Sequence, residues 1–539
     1  MVVGSGFMTK SSLESPFHHR RGAKEQTLIL LIEPLSKNIG MYVPAYPLPL
    51  LEIGSFIKAN LPEADIRIIS LPMDYGLPLS RAAKNCIYQE LIQDISELKP
   101  EGIGISCTAI SQAEGVIDLC NLIKAKIPDI FLFLGGYFPT LYYEEIFSRT
   151  SAVDLIVVGE GEIPTLQIIE LLEKGEDPRA ASLPSTAWQK NGHIQTTPRE
   201  KRFDLERKAC LDLNLLTHPK AYGVLPYAFS RGCPHKCSFC MEDLIRPTRR
   251  KVPADIIGKD LTNLLEQSDT RTFLVSDALF KSFEIFPLLR SLGAKVKFET
   301  RSDIMTPSIL SEIGDVCVGL AIGVESASYN TLRRMNKVRD ESHYRKYMSN
   351  TFSLFKEAVN CNIPLMVFMI AGYPGETEED LRESLRFARE LSKHRGPGGY
   401  VFKIGECRVY PGTKLYDIAH SMPDVVFDDD GVFGENIVRK PSGNLSFQTV
   451  LAYMREIFNL SYQTEKLQET LFKMMPFFRL PAEAMQDMMI PNECFGNSDM
   501  NIFNVRGESL KSFKKILPNL VKKYRESMSG QRKTRDLDL

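Results

Sequence analysis

Short apolar runs recur along the first third of the chain, and stretches of helical periodicity separate them. Thr27–Glu33 (TLILLIE), stopped by Pro34, reads as a buried strand. Asp65–Leu71, Gly102–Ser106, Ile130–Leu134 and Leu155–Val158 repeat the pattern. Pro49–Asn60, Cys86–Leu98, Glu114–Ile127 and a stretch ending near Leu172 read as helices between them. Strands of this kind, apolar throughout and alternating with helices, predict an α/β domain: a doubly wound, Rossmann-like parallel sheet over 27–185. Ligands of such sheets sit beyond the carboxyl ends of the strands. Three of those ends carry small or polar residues: Ser106–Thr108, Gly135-Gly136 and Gly159–Glu162.

Residues 186–220 show little periodicity and read as a linker, which holds Trp188, the only tryptophan. Alternation resumes over 221–420. Strands are predicted at Val224–Ser230, Thr272–Val275, Val296–Thr300, Val318–Ile322, Leu365–Ala371 and Phe402–Val409. Six βα units predict a partial (β/α)6 barrel with its chemistry at the C-terminal strand ends. Residues 421–539 read as a mainly helical C-terminal region, with Met-rich and Phe-rich stretches suited to completing a pocket or closing the open barrel edge. Residues 1–26 have no apolar core like that of a signal peptide and read as a flexible tail.

Composition narrows the function. The 66 Lys and Arg balance 67 Asp and Glu, leaving no electrostatic footprint for bulk nucleic acid. The basic stretch Arg246–Lys251 (RPTRRK) reads as a solvated turn. No apolar run is long enough to span a membrane. Eleven cysteines in 539 residues are too few and too scattered for a disulfide scaffold. They fit reduced thiols in a cytoplasmic protein, and Cys494 reads as a buried thiol or a hydrogen donor.

Three cysteines stand apart. Arg231–Cys240 (RGCPHKCSFC) places Cys233, Cys237 and Cys240 in a Cys-x3-Cys-x2-Cys loop after a predicted strand. Three thiolates on one loop suit an iron–sulfur cluster or zinc, and His235 inside the loop is a further candidate ligand. Downstream, Ser276-Asp277, Glu299 and Arg301 (FETRSD), Gly323–Ser326 (GVES), Leu332–Lys337 (LRRMNK), Ala371–Thr377 (AGYPGET) and Tyr410–Thr413 (YPGT) follow successive strands.

With aromatic Phe239 before the last cysteine, the loop and these segments resemble the radical S-adenosylmethionine (SAM) enzymes over about Tyr222–Ala419. The resemblance implies that Cys233, Cys237 and Cys240 bind three irons of a [4Fe–4S] cluster whose fourth iron chelates SAM. It implies SAM contacts at Phe239, Asp277, Glu299, Arg301, Glu325 and Gly372. Asp277 reads equally as a turn residue, and Glu299 with Arg301 as an ordinary ion pair. The first domain resembles the cobalamin-binding domain in front of one large subclass, through Ser106-Cys-Thr108, Gly135-Gly136 and DLIVVGEGEIPTLQIIELL. Ser106, Thr108, Gly135, Gly136, Gly159 and Glu160 are the implied cobalamin contacts. The subclass pattern Asp-x-His-x-x-Gly is missing: PLSKNIG follows Glu33, and no histidine lies between His19 and His193. Cobalamin would therefore have no lower histidine ligand from this domain.

The resemblance implies methylation of an unactivated carbon of a small-molecule or lipid-like substrate, through a 5′-deoxyadenosyl radical and methylcobalamin. A one-electron reductant such as flavodoxin or ferredoxin would serve it. The alternatives are oxidative cyclisation or C–C coupling on the same architecture, and a non-catalytic metal-binding module.

Overall fold

The computed structural model describes residues 26–36, 45–75, 81–199, 202–222, 224–464 and 466–467. The chain divides into two compact units. One takes the chain up to Leu35, Pro49–Phe203 and Ala209–Pro219; the other takes Ser36–Leu48, Asp204–Lys208 and the chain from Lys220 on.

The first unit is built on strands β1 (Leu28–Glu33), β2 (Asp65–Ser70), β3 (Gly102–Ser106), β4 (Phe131–Gly135), β5 (Leu155–Val157), β6 (Thr186–Lys190) and β7 (His193–Thr196). Their order is β2-β1-β3-β4-β5-β6-β7, with the first five parallel. The chain reverses direction across the sheet between β1 and β3, which makes this the topological switch point of a doubly wound fold. β1 is buried along nearly all its length, as a strand covered on both faces must be.

The segment read as a linker holds more order than its periodicity implied. β6 runs antiparallel to β5 and pairs with β7, extending the sheet by a hairpin. The turn is Asn191-Gly192, both with positive φ (53° and 77°), the chemistry of a tight two-residue hairpin. Trp188 on β6 is buried.

The second unit carries β8 (Leu225–Tyr227), a small antiparallel pair β9 (Ser230–Arg231) and β10 (Arg250–Lys251), then β11 (Thr272–Val275), β12 (Lys295–Arg301), β13 (Cys317–Glu325), β14 (Leu365–Ala371) and β15 (Tyr400–Glu406). Six strands form one parallel sheet in the order β15-β14-β13-β12-β11-β8, the arrangement of an open, partial barrel. On β14, burial alternates strictly: Leu365, Val367, Met369 and Ala371 are buried, while Met366, Phe368 and Ile370 are partly accessible. The second set shares one face of the strand, as a period of two requires.

The chain covers the free edge of β15. Tyr400 and Tyr462 exchange backbone hydrogen bonds at 2.9 and 3.0 Å, and Phe402 N donates to Ser461 Oγ at 3.0 Å. An unpaired edge would invite strand addition. After residue 421 the described residues hold a short antiparallel pair, β16 (Val426–Phe427) with β17 (Val438–Lys440), a 3-10 turn at Gly431–Phe433 and an α-helix, Phe447–Asn459. The tail 1–25, the Met-rich stretches and Cys494 lie outside the described residues. Among the described residues no helix is long and apolar enough to cross a membrane.

A buried ion pair fastens residues 204–208 to the second unit. Lys208 Nζ donates to Asp260 Oδ2 at 2.5 Å, and the Tyr227 hydroxyl donates to the same oxygen at 2.9 Å. Both charged side chains are almost wholly out of solvent, at 3% and 0% exposure.

Candidate active site

The cysteine loop leaves the barrel through a carboxylate. Asp277, just past β11, accepts from Phe229 N at 2.7 Å and from Ser230 Oγ. One oxygen thus holds the backbone at Phe229 and the other the Ser230 side chain, at the residues that lead into the loop. Burial pushes its pKa up to about 6, against the pull of those hydrogen bonds. At Gly232 the chain turns with φ of +87°, and a Cβ there would run into the carbonyl oxygens of Thr248 and Arg246. Cys233 N then donates to Arg246 O at 3.1 Å, so the segment after the loop supports its start.

Ser238, between the second and third cysteines, is the point where distant motifs meet. It is 2% exposed. Its N–H donates to Met335 O at 3.1 Å and its carbonyl accepts from Leu415 N at 2.7 Å. Its hydroxyl lies 2.7 Å from Tyr373 OH and 3.2 Å from Arg334 O. Asn336 Nδ2 also reaches Lys236 O at 2.7 Å. The segments LRRMNK, AGYPGET and YPGTK, far apart in sequence, therefore close around one loop. Phe239 packs against the apolar cluster of Leu332, Met335, Tyr373 and Leu415. Gly372 takes φ of +82°, and its N–H donates to the buried Glu376 at 2.6 Å.

An ion-pair chain runs from the loop along the strand ends. Arg301 Nη1 donates to Cys237 Sγ at 3.3 Å. Its Nε and Nη2 grip Asp303 at 2.8 and 2.9 Å, and Nη2 also reaches Lys337 O at 3.2 Å. Lys337 Nζ in turn donates to Glu325 at 2.8 Å and to Gly323 O at 2.7 Å. Burial works against the Lys337 charge, but Glu325 and Tyr347 hold its pKa above the ordinary value. Glu325 has φ of +65°, rare for a residue with a side chain, at a register shift between β13 and β14. Such strain concentrates at functional sites. Sequence reasoning singled out Arg301 and Glu325 but not Asp303, Lys337, Ser238 or Tyr373. All four lie inside or beside the quoted motifs, and only the fold shows what they touch.

Glu299 does not pair with Arg301. It is accessible to solvent, yet enough protein surrounds it to raise its pKa, which Lys403 opposes. That combination marks a side chain lining a concavity. Lys403 on β15 lies over the Phe368 ring, 5.2 Å from its centre. His235, within the loop, is pushed down to about 4, first by burial and then by Arg301, so it is neutral near pH 7. The basic stretch after the loop is engaged within the fold: Arg246 with Glu242, Arg249 with Ser282, and Lys251 with Glu284.

In the first unit Ser106, Thr108, Gly135, Gly136, Gly159 and Glu160 fall together at the carboxyl ends of β3, β4 and β5. Gly136 (φ +107°) approaches so closely that a Cβ would collide with the Cys107 backbone. Gly159 (φ +104°) is held by its N–H donating to Thr140 Oγ1 at 2.9 Å and has open space where a Cβ would stand. The Thr108 hydroxyl donates to Gln112, and Glu160 accepts from Phe203 N at 2.8 Å. Cys107 is buried, with its thiol pushed up to about 12, so it packs rather than reacts.

The residues fit the implied groups. Cys233, Cys237 and Cys240 are partly accessible thiols on one loop, none of them in a disulfide. Soft thiolates with a cationic donor beside them suit an iron–sulfur cluster. In the first unit, a Cβ at Gly159 would meet nothing within 4 Å and one at Gly135 only Val157, which leaves room beside these strand ends.

Comparison with known proteins identifies the two domains. The family description "B12 binding domain" matches residues 55–169, and "Radical SAM superfamily" matches 227–388. The chain is 23% identical over 415 residues to an uncharacterized methyltransferase of Pyrococcus horikoshii, covering 74% of this chain and 83% of that one. It is 26% identical over 329 residues to the anaerobic magnesium-protoporphyrin IX monomethyl ester cyclase of Synechocystis, covering 57% of this chain and 63% of that one. Among solved structures, the radical S-adenosylmethionine methyltransferase TsrM from Kitasatospora setae, with cobalamin and [4Fe–4S] cluster bound, shares the fold. That match has a TM-score of 0.61 at 15% identity, over 81% of this chain and 91% of TsrM. The chain therefore carries a B12 binding domain in its first unit and a radical S-adenosylmethionine domain in its second.

Proposed function

We propose that the protein methylates an unactivated carbon of a small-molecule or lipid-like substrate, using a [4Fe–4S] cluster, SAM and cobalamin. The observation that carries this reading is the loop of three thiols fastened at Ser238 to downstream segments of the barrel, in a chain whose first unit matches a B12 binding domain. When bound, the cluster and SAM supply a carbon radical able to take hydrogen from a C–H bond that has no acidic proton, and the corrinoid supplies the methyl group.

The chain's own residues bind and orient. Cys233, Cys237 and Cys240 would hold three irons. Asp277 and Gly232 fix where the loop begins, so Asp277 acts as a positioning residue. Glu325, locked by Lys337, and the backbone turn at Gly372 would face SAM, with Phe239 bracing the loop from behind. Glu299 and Lys403 would line the substrate cavity. In the first unit Ser106, Thr108, Gly135, Gly136, Gly159 and Glu160 would cradle the corrinoid, without a lower histidine ligand. A one-electron reductant such as flavodoxin or ferredoxin would deliver the electron.

The likeness to the cyclase supports a second reading, in which the same architecture cyclises or couples its substrate without methyl transfer. Anaerobic reconstitution with iron, sulfide and hydroxocobalamin, followed by product analysis, separates the two. Methyl transfer predicts 5′-deoxyadenosine together with S-adenosylhomocysteine; cyclisation predicts 5′-deoxyadenosine alone. Full SAM cleavage by the triple variant Cys233→Ala, Cys237→Ala, Cys240→Ala would sink both readings.

A further inference from the structure

We propose that Arg301 sets the reduction potential of the cluster, through a fixed hydrogen bond to the Cys237 sulfur, and that Asp303 moderates it. The proposal rests on the reading that Cys237 is a cluster ligand.

The geometry leaves Arg301 little freedom. The residue is 8% exposed. Its guanidinium is a rigid fork that stays charged at any pH a protein survives. Asp303 grips Nε and Nη2, and Lys337 O takes a second bond from Nη2. The remaining nitrogen, Nη1, points at Cys237 Sγ from 3.3 Å. The donor is therefore held in place before any cluster binds. Lys337 adds its charge nearby, but its hydrogen bonds go to Glu325 and Gly323 O rather than to the sulfur.

Reduction adds one electron to the cluster and makes or breaks no bond, so the added charge falls on iron and its sulfur ligands. An N–H donor and a positive charge at one sulfur favour the electron-rich state and raise the potential. The Asp303 carboxylate, on the far side of the same guanidinium, offsets part of that charge. The two members of one ion pair should thus move the potential in opposite directions.

The test is a mediated redox titration of the reconstituted holoprotein without SAM, followed by electron paramagnetic resonance and normalised to iron content. Arg301→Gln should shift the midpoint downward. Arg301→Lys should shift it downward by less, since the charge remains but the fixed fork is lost. Asp303→Asn should shift it upward. Mere loosening of the loop would lower iron content in all three and would not give opposite signs. If Arg301→Gln assembles no cluster, the signs for Arg301→Lys and Asp303→Asn decide. An unshifted potential in Arg301→Gln, or in both of the others, overturns the proposal. So does a variant that weakens SAM binding in equilibrium dialysis while the potential stays put, which would make Arg301 a SAM ligand. Wild-type protein that takes up no iron would overturn the cluster assignment itself, a result distinct from a normal cluster indifferent to Arg301.

Discussion

Ser238→Ala removes one oxygen from the point where the cysteine loop meets the rest of the barrel. The lost contacts are the 2.7 Å bond with Tyr373 OH and the 3.2 Å bond to Arg334 O. Each buried hydrogen bond contributes about 1 kcal/mol net, and an orphaned partner would add about 1–3 kcal/mol more. Tyr373 OH still reaches Arg334 O at 3.3 Å, so it is not orphaned. The backbone bonds of Ser238 to Met335 O and from Leu415 N also survive. The expected cost is therefore about 2 kcal/mol, local to the loop. A chain of two units does not guarantee two-state unfolding. Hydrogen exchange is the better assay, because it reads local opening. Amides of peptides covering 232–241 and 413–418 should exchange roughly 30-fold faster in Ser238→Ala, the equivalent of 2 kcal/mol. Tyr373→Phe should show a partial effect, and the double variant should fall short of the sum by about 1 kcal/mol, the coupling of the shared bond. Exchange rates unchanged within about threefold, or strictly additive effects, would refute the idea that Ser238 joins these segments.

Three further outcomes follow from single contacts. Asp260→Ala strands the buried Lys208 charge and should cost about 3–5 kcal/mol, read as a lowered melting temperature, while Asp260→Leu with Lys208→Met should recover most of it. Gly232→Ala places a Cβ against Thr248 O at a φ that costs about 1–2 kcal/mol before any clash, so reconstituted iron should fall, whereas Gly258→Ala, in helix Ala254–Gln267 with nothing nearby, should stabilise slightly. Glu376 is buried, and desolvation raises its pKa from 4.5 to about 8. The folded state then holds a proton that the unfolded state has released, so Glu376 makes stability fall as pH rises from about 4.5 to 8. Glu376→Gln should flatten that loss in melting curves taken across this window, and an unchanged slope would show that Glu376 does not carry it.

β1 was legible because it is covered on both faces and so reads as an uninterrupted apolar run, LILLIE; β14, LMVFMIA, is as apolar in sequence, although one of its faces is only half-buried. The hairpin of β6 and β7 left a signal, Asn191-Gly192, that hydrophobic periodicity does not register. The cluster cysteines were legible because their spacing is local. Asp277 was legible as a site residue but not in its role: its oxygens are spent on Phe229 N and the Ser230 hydroxyl before the loop, contacts 48 and 47 residues away.

By itself, then, the sequence determined what local chemistry fixes. This includes the strand–helix alternation, the three thiols on one turn, the glycines where the chain approaches itself, and the missing histidine before the first helix. Tertiary structure alone decided which charges stay in water and which are taken out of it. Arg301 and Cys237 are 64 residues apart, and Lys208 and Asp260 are 52 apart. In sequence Lys208 and Asp260 look like any solvated side chains, and nothing there pairs Arg301 with Cys237. Folding brings the ends of separate strands together at one rim of the barrel, where burial weakens screening and each charge must find a partner. That need, which no single segment carries, makes Arg301 a neighbour of the cluster loop rather than a partner of Glu299.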